Sequence, residues 1–363
     1  MTYLVIGLAV LLVLAILYAT FRVATLVGIV KGEGSKNVPS SNKLQASLLV
    51  VFLILGLFGF FYYSFGGLDE SFVNPIASEH GVATDRLFWI TMGLTGFVFV
   101  VTQIFLFGFA YKYQFKENGQ AHFYPHNDNL EKIWTIVPAI VLAVLIFSGW
   151  RTWVDITSSA PEDSEKIEIM GYQYSWAVRY GGNDKKLGDY DYQKIDVVNQ
   201  SGIDFSDKAS FDDFIPTRLY LPKGRPVLLQ IRARDVIHSV YQPHFRLQMN
   251  AVPGMPTRFW FTPTKTTEEM RVETGNPEFD YELVCNKICG KGHFAMKYMI
   301  EVLEPEEYDK WYAEASQNPW LKQNSDYLAH VPEELQELAR ISSGIDSEED
   351  IESIDNTIAS INY

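Results

Sequence analysis

Cys285-Asn286-Lys287-Ile288-Cys289-Gly290-Lys291-Gly292-His293-Phe294-Ala295-Met296 holds both cysteines of the 363-residue chain, with one histidine and one methionine. Thiolate, imidazole and thioether are the soft and borderline donors that copper prefers. A loop for one copper needs a Cys, then a His and a weak Met, with another His from an earlier strand. Here a second Cys precedes that set by four residues. Two thiolates on one loop can bridge two metal ions. The other imidazole has a candidate in His238, within Asp235-Val236-Ile237-His238-Ser239, read as the end of a strand-like run. Two further readings stay open here. Two cysteines in an exported domain ordinarily form a disulfide, leaving His293 and Met296 as packing residues. A zinc site would use the thiolates too, but its usual spacing sets a Cys pair far from a His pair and includes no Met.

Outward from this loop the chain divides. Apolar residues are 47% and charged residues 20%, but the first 150 residues are mostly apolar blocks and the rest is polar and acidic. The net charge of -14 argues against nucleic acid as a partner and suits a basic protein. Residues 3–20, 46–65, 88–111 and 133–150 contain no charged side chain. Each approaches the roughly 20 residues that a helix needs to cross the hydrocarbon core. The first has no basic n-region and no clear small-x-small cleavage site, and reads as a retained helix rather than a signal peptide. No Cys near its start offers a lipid attachment point. Arg22, Lys31, Lys36 and Lys43 oppose only Glu33 in the first loop; Asp69, Glu70, Glu79 and Asp85 oppose Arg86 in the second; Lys112, Lys116 and Lys132 mark the third. Loops one and three are thereby placed in the cytoplasm, and the N-terminus and everything after Trp150 outside.

The pattern Cys-x3-Cys-x3-His-x2-Met, preceded by Asp-x-x-His-Ser, resembles the dinuclear copper (CuA) loop of subunit II of the haem-copper cytochrome c oxidases. The resemblance implies that Cys285 and Cys289 bridge two coppers and that His238 and His293 bind one each. Met296 would complete one copper and the backbone carbonyl of Lys287 the other. It implies an α-helical membrane region followed by an all-β, cupredoxin-like Greek-key sandwich. It also implies electrons taken from a c-type cytochrome and passed to haem in subunit I, where oxygen is reduced to water with proton translocation. Other oxidase subunits and membrane lipid would be neighbours, in a bacterial inner membrane with the copper domain outside. The family usually has two membrane helices, so the first two here are extra.

Glu131-Lys132-Ile133-Trp134-Thr135-Ile136-Val137-Pro138 resembles the signature at the start of that family's second helix, where the Glu lies near a proton pathway; Glu131 is the matching candidate. Without the resemblance these residues read as an aromatic anchor and a solvated acid at a helix start. Residues 166–180 alternate and are rich in β-branched and aromatic side chains, which predicts a strand. They resemble the aromatic run leading the family's copper domain. Gly171, Gln173 and Trp176 match, but the tryptophan that accepts the electron falls on Tyr174. Tyr174 and Trp176 are the two candidates for that role, with core packing as the plain alternative. The residue midway between the cysteines is usually a Glu whose carboxylate reaches a magnesium ion. Here it is Lys287, whose ammonium cannot ligate Mg2+.

Runs at 217–221, 226–233, 257–261, 270–273, 281–285 and 296–303, with turns between them, predict a sandwich or small barrel. The domain plan is helices in 1–111, a cytoplasmic loop and last helix in 112–154, a copper domain in 155–304 and an acidic extension in 305–363. Residues 181–216 read as an insertion. Its Asp204, Asp207, Asp212 and Asp213 form a solvated face or, more sharply, a docking surface for a basic carrier. His244 lies off the motif and reads as structural. His80, His122, His126 and His330 fall in loops or the tail, without a ligand role. Residues 304–314 and 332–340 predict short helices, and the end from Ser343 reads as mobile. No Cys-x-x-Cys-His occurs, so the electron donor is a separate protein. Two rivals remain: the CuA subunit of a related haem-copper enzyme such as a nitric oxide reductase, and a membrane-anchored copper-binding or assembly protein.

Overall fold

The computed structural model describes residues 2–31, 34–65, 74–116, 119–120 and 122–345. They form two compact units, one drawn from 1–72 and 89–141, the other from 73–88 and 142–363.

Helices α1 (Thr2–Val30), α2 (Gly34–Phe65), α3 (Glu79–Lys112) and α4 (Asp128–Ile156) are each long and apolar enough to cross a membrane. Their leucines, valines and phenylalanines are exposed, as side chains facing lipid are. The hydroxyls of Thr95, Thr102 and Ser148 donate to carbonyls one turn back, which satisfies them without water. Within the first unit, α2 meets α3 through Phe52–Phe107 and Phe60–Phe99, each with ring centroids 5.9 Å apart. The helices outrun the apolar stretches, so most of the first basic loop is helical. Glu33, Asp69 and Glu70 lie outside the described residues.

The second unit is a cupredoxin-like sandwich. One sheet has the order β2-β1-β4-β7, from β1 (Glu165–Tyr172), β2 (Ser175–Tyr180), β4 (Val227–Ala233) and β7 (Thr257–Phe261). The other has the order β3-β9-β8-β5-β6, from β3 (Leu219–Pro222), β5 (His238–Gln242), β6 (Leu247–Ala251), β8 (Tyr281–Cys285) and β9 (Lys297–Leu303). Alternation sets the core. Ile167, Ile169, Leu229, Ile231 and Phe261 face inward from one sheet, and Leu221, Val240, Leu283, Ile300 and Val302 from the other. Each such burial stabilises by about 1.5–3 kcal/mol.

Several expectations are corrected. Residues 270–273 belong to helix α5 (Thr267–Thr274), not to a strand. The Thr266 hydroxyl accepts from Glu269 N, the Glu269 carboxylate accepts from Thr266 N, and this capping box outweighs the β-branched local sequence. Residues 166–180 form a hairpin of β1 and β2, not one strand. His238 opens β5 instead of ending a strand, because the preceding strand stops at Ala233. Strand β6 lies outside the runs that the sequence predicts; Arg246, at φ 54, turns the chain into it.

The acids of 181–216 are not a shared solvated face. Asp213 is fully buried and Asp212 nearly so. Arg179 reaches Asp213 at 2.6 Å and Glu168 at 2.9 Å, while Arg232 reaches Glu168 at 2.8 Å. Asp204 pairs with Lys194, and Asp207 caps a short turn at Ala209 N. Ile203, Phe205 and Phe211 pack with Trp320, Leu321, Val331 and Ala339 into a second core. The insertion and the extension therefore fold on each other. The extension holds α6 (Pro305–Ala315), α7 (Trp320–Gln323) and α8 (Gln336–Ser343); residues 346–363, expected to be mobile, lie outside the described residues.

The segment leading into α3 is bonded to the sandwich by Ala77 N to the His244 carbonyl at 2.9 Å, and the start of α3 by Asp85 to Arg246 at 2.7 Å. His244 donates to the Pro75 carbonyl at 3.0 Å, a structural role. His80 sits in the first turn of α3 rather than in a loop, edge-on to Trp260.

Candidate metal centre

Cys285 ends β8 and Lys297 begins β9, so two paired strands hold both ends of the ligand loop. β5 lies beside β8 with Val240 opposite Cys285, which brings His238 to the same end of the sheet. The two sulfurs are 4.0 Å apart, whereas a disulfide needs about 2.0 Å. Both thiols are free and buried.

The donors fall into two sets. His238 Nδ1 lies 3.9 Å from Cys285 Sγ, and the Lys287 carbonyl lies 3.2 Å from the same sulfur. His293 Nδ1 lies 3.7 Å from Cys289 Sγ, and Met296 Sδ lies 3.8 Å from it. Donors around one metal at 2.0–2.3 Å stand about 3.3–3.8 Å apart in tetrahedral geometry. The residues present fit a soft metal held on both sulfurs. His238, Cys285 and Cys289 alone place three ligand atoms within 4.8 Å of one another. Burial, then the neighbouring Cys285, pushes the Cys289 thiol up to about 11, so metal binding must displace its proton.

A surrounding layer holds these side chains. Asp235 accepts from His238 Nε2 at 2.9 Å and from Gln173 N at 2.8 Å. Gln173 Nε2 donates to the Cys289 carbonyl at 2.5 Å. Trp176 is buried, donates to the Met296 carbonyl at 3.4 Å and stands 6.0 Å from the His238 ring. Gly171 passes so close that an added Cβ would meet His238 Cβ at 3.1 Å. Tyr174 is 41% exposed, lies against Gly290 and Gly292, and its hydroxyl accepts from Lys291 N at 3.2 Å.

All six donors read from the sequence therefore meet. Tyr174 and Trp176 adjoin them on the exposed and buried sides. Glu131 belongs to the other unit, exposed in the first turn of α4. Gln173, which clamps the loop, was seen only as a matching position, because its partner is a backbone carbonyl far along the chain.

A cupredoxin-like β-sandwich that presents two thiols, two imidazoles and a thioether at one end, in a chain with four helices long and apolar enough to cross a membrane, defines a membrane-anchored protein of the cupredoxin class. The transmembrane-domain profile of cytochrome c oxidase subunit II matches residues 72–150, and the periplasmic-domain profile matches residues 166–303. The chain belongs to the cytochrome c oxidase subunit II family. It is 32% identical over 240 residues to the alternative cytochrome c oxidase subunit 2 of Bradyrhizobium diazoefficiens, covering 66% of this chain and 82% of that protein. It is 26% identical over 254 residues to cytochrome c oxidase subunit 2 of Cereibacter sphaeroides, covering 67% and 78%. Among solved structures, the periplasmic domain of subunit II of Bradyrhizobium japonicum cytochrome oxidase is matched over 44% of this chain and 99% of that one, with 21% identity and a TM-score of 0.31. The chain is thus a membrane protein with a periplasmic domain, from a copper-binding family, and works with other subunits of a haem-copper oxidase.

Proposed function

We propose that the chain receives electrons from a c-type cytochrome at a dinuclear copper centre and delivers them to haem in subunit I, where oxygen is reduced. The observation that carries this reading is the division of the donors: two thiols 4.0 Å apart, with a different imidazole nitrogen facing each. Cys285 and Cys289 would be shared by both metal ions. His238 and the Lys287 carbonyl would complete one, His293 and Met296 the other. When bound, copper supplies a one-electron acceptor whose charge spreads over both sulfurs.

The chain's own residues prepare that site. Strands β5, β8 and β9 fix the backbone, Asp235 keeps the His238 proton on Nε2, and burial keeps water from the sulfurs. Tyr174 is the exposed ring over the ligand loop and meets the donor; Trp176, buried beneath, positions Met296 and His238. Glu131, at the start of α4, would serve a proton path. The chain would be multi-pass in a bacterial inner membrane, among lipid and partner subunits.

The test is EPR of the purified, copper-loaded chain. An unpaired electron shared equally by two copper nuclei is expected. A signal from a single copper would overturn the dinuclear reading.

A further inference from the structure

The sandwich carries a cavity of about 340 Å3 where the chain leaves α4. Lys166 on β1 pairs with Leu228 on β4, which pairs with Trp260 on β7. These three stand in one row across the sheet, and Arg258 lies two residues before Trp260 on the same face. All four line the cavity with Ser159 and Glu162 of the connecting segment.

The cations of this unit divide into those that hold a carboxylate and those that do not. Arg179, Arg218, Arg225, Arg232, Arg246 and Arg271 of the same unit each hold a carboxylate. Lys166 and Arg258 hold none among the described residues. Trp260, in the same wall, has its indole N–H buried without an acceptor. Two exposed cations without a carboxylate of their own, side by side in one cavity, suit an anionic ligand. A volume near 300 Å3 is that of a small-ligand site.

The cavity's place says which anion. Its wall includes Ile156, the last residue of a membrane-crossing helix. Trp150 and Trp153, exposed in the final turns of that helix, mark the level where aromatic rings meet lipid headgroups. Glu162 adds one carboxylate to the two cations. We infer that this cavity binds a phospholipid headgroup of the phosphoethanolamine type. Lys166 and Arg258 hold its phosphate, and Glu162 accepts its ammonium. This inference is independent of the copper reading.

Native mass spectrometry of the delipidated full chain in detergent tests it, with phosphatidylethanolamine, phosphatidylglycerol and inorganic phosphate as probes. Phosphatidylethanolamine should bind best. The double variant Lys166→Gln, Arg258→Gln should lose at least about tenfold in that affinity. Glu162→Gln should erase the preference over phosphatidylglycerol. An unchanged copper EPR signal, or an unchanged far-UV spectrum without metal, shows that the variants fold. Equal lipid binding by the double variant would overturn the site. Inorganic phosphate binding as tightly as lipid would overturn the lipid assignment. A wild-type preference for phosphatidylglycerol would overturn the role of Glu162.

Discussion

Asp235 accepts the Nε2 proton of His238 at 2.9 Å, and so leaves Nδ1 bare toward the sulfurs. A carboxylate has only acceptors to offer, so this contact fixes the tautomer. The same Asp235 binds Gln173 N, and Gln173 in turn holds the Cys289 carbonyl. One carboxylate thus ties an imidazole ligand to the loop that carries both thiols. Removing it should loosen the metal without removing a ligand. Asp235→Ala is expected to retain copper about 10–100-fold less tightly, read by competition with a chelator. Unchanged retention would show that packing alone holds His238.

Lys287 offers its carbonyl, 3.2 Å from Cys285 Sγ, while its side chain points into solvent. The backbone does not depend on the side chain. Lys287→Ala is therefore expected to leave the copper EPR signal unchanged. A lost or altered signal would mean that the ammonium shapes the site.

The ligand loop was legible because spacing along the chain fixes it: five of the six donors lie within twelve residues, and strands on both sides hold them. The membrane helices were legible from their apolar runs. Three features were not. Thr266 and Glu269 start a helix through reciprocal hydrogen bonds, a signal passed over for the β-branched residues nearby. The aspartates of the insertion looked solvated because their partners are distant in sequence: Asp213 meets Arg179, on β2. The second core joins segments about 100 residues apart, and neither has enough apolar residues to announce it.

Glu168 gives a pH prediction. Burial raises its pKa, but the charges and hydrogen bonds of Arg179 and Arg232 prevail and hold it at about 2, against 4.5 unperturbed. Between those values the unfolded chain takes up a proton that the folded chain refuses. This contribution is therefore fully present above pH 4.5 and is lost as pH falls toward 2. The loss should be on the order of 3 kcal/mol. Glu168→Gln should flatten this part of the pH profile. It should also cost about 3–5 kcal/mol at neutral pH, because two buried guanidiniums lose their shared carboxylate. Denaturant unfolding of wild type and variant across pH 5 to 2 reads both effects. Parallel profiles would dismiss the role of Glu168.

Leu321 is fully buried in the second core, against the apolar residues of the insertion. Leu321→Ala should cost about 2–5 kcal/mol locally. The loss should appear as faster hydrogen exchange and proteolysis within residues 199–215, with copper binding unchanged. Equal protection of that segment would mean that the insertion is held by the Arg179–Asp213 pair alone.

Tyr174 and Trp176 are separated by one residue yet differ in exposure, 41% against 2%. A group that meets a protein donor must reach the surface, and only Tyr174 does. Gly290 and Gly292 let its ring lie directly on the ligand loop; a Cβ at Gly292 would fall 2.5 Å from Tyr174 Cγ. Tyr174→Ala is therefore expected to slow reduction by cytochrome c at least about tenfold, with the EPR signal preserved. Tyr174→Trp should keep the rate, since it restores an exposed ring. Trp176→Phe, which loses the donor to the Met296 carbonyl, should instead disturb the EPR signal before it slows the reaction. Stopped-flow reduction beside EPR separates the two. A rate loss confined to Trp176→Phe, with its signal intact, would transfer the electron-receiving role to the buried ring.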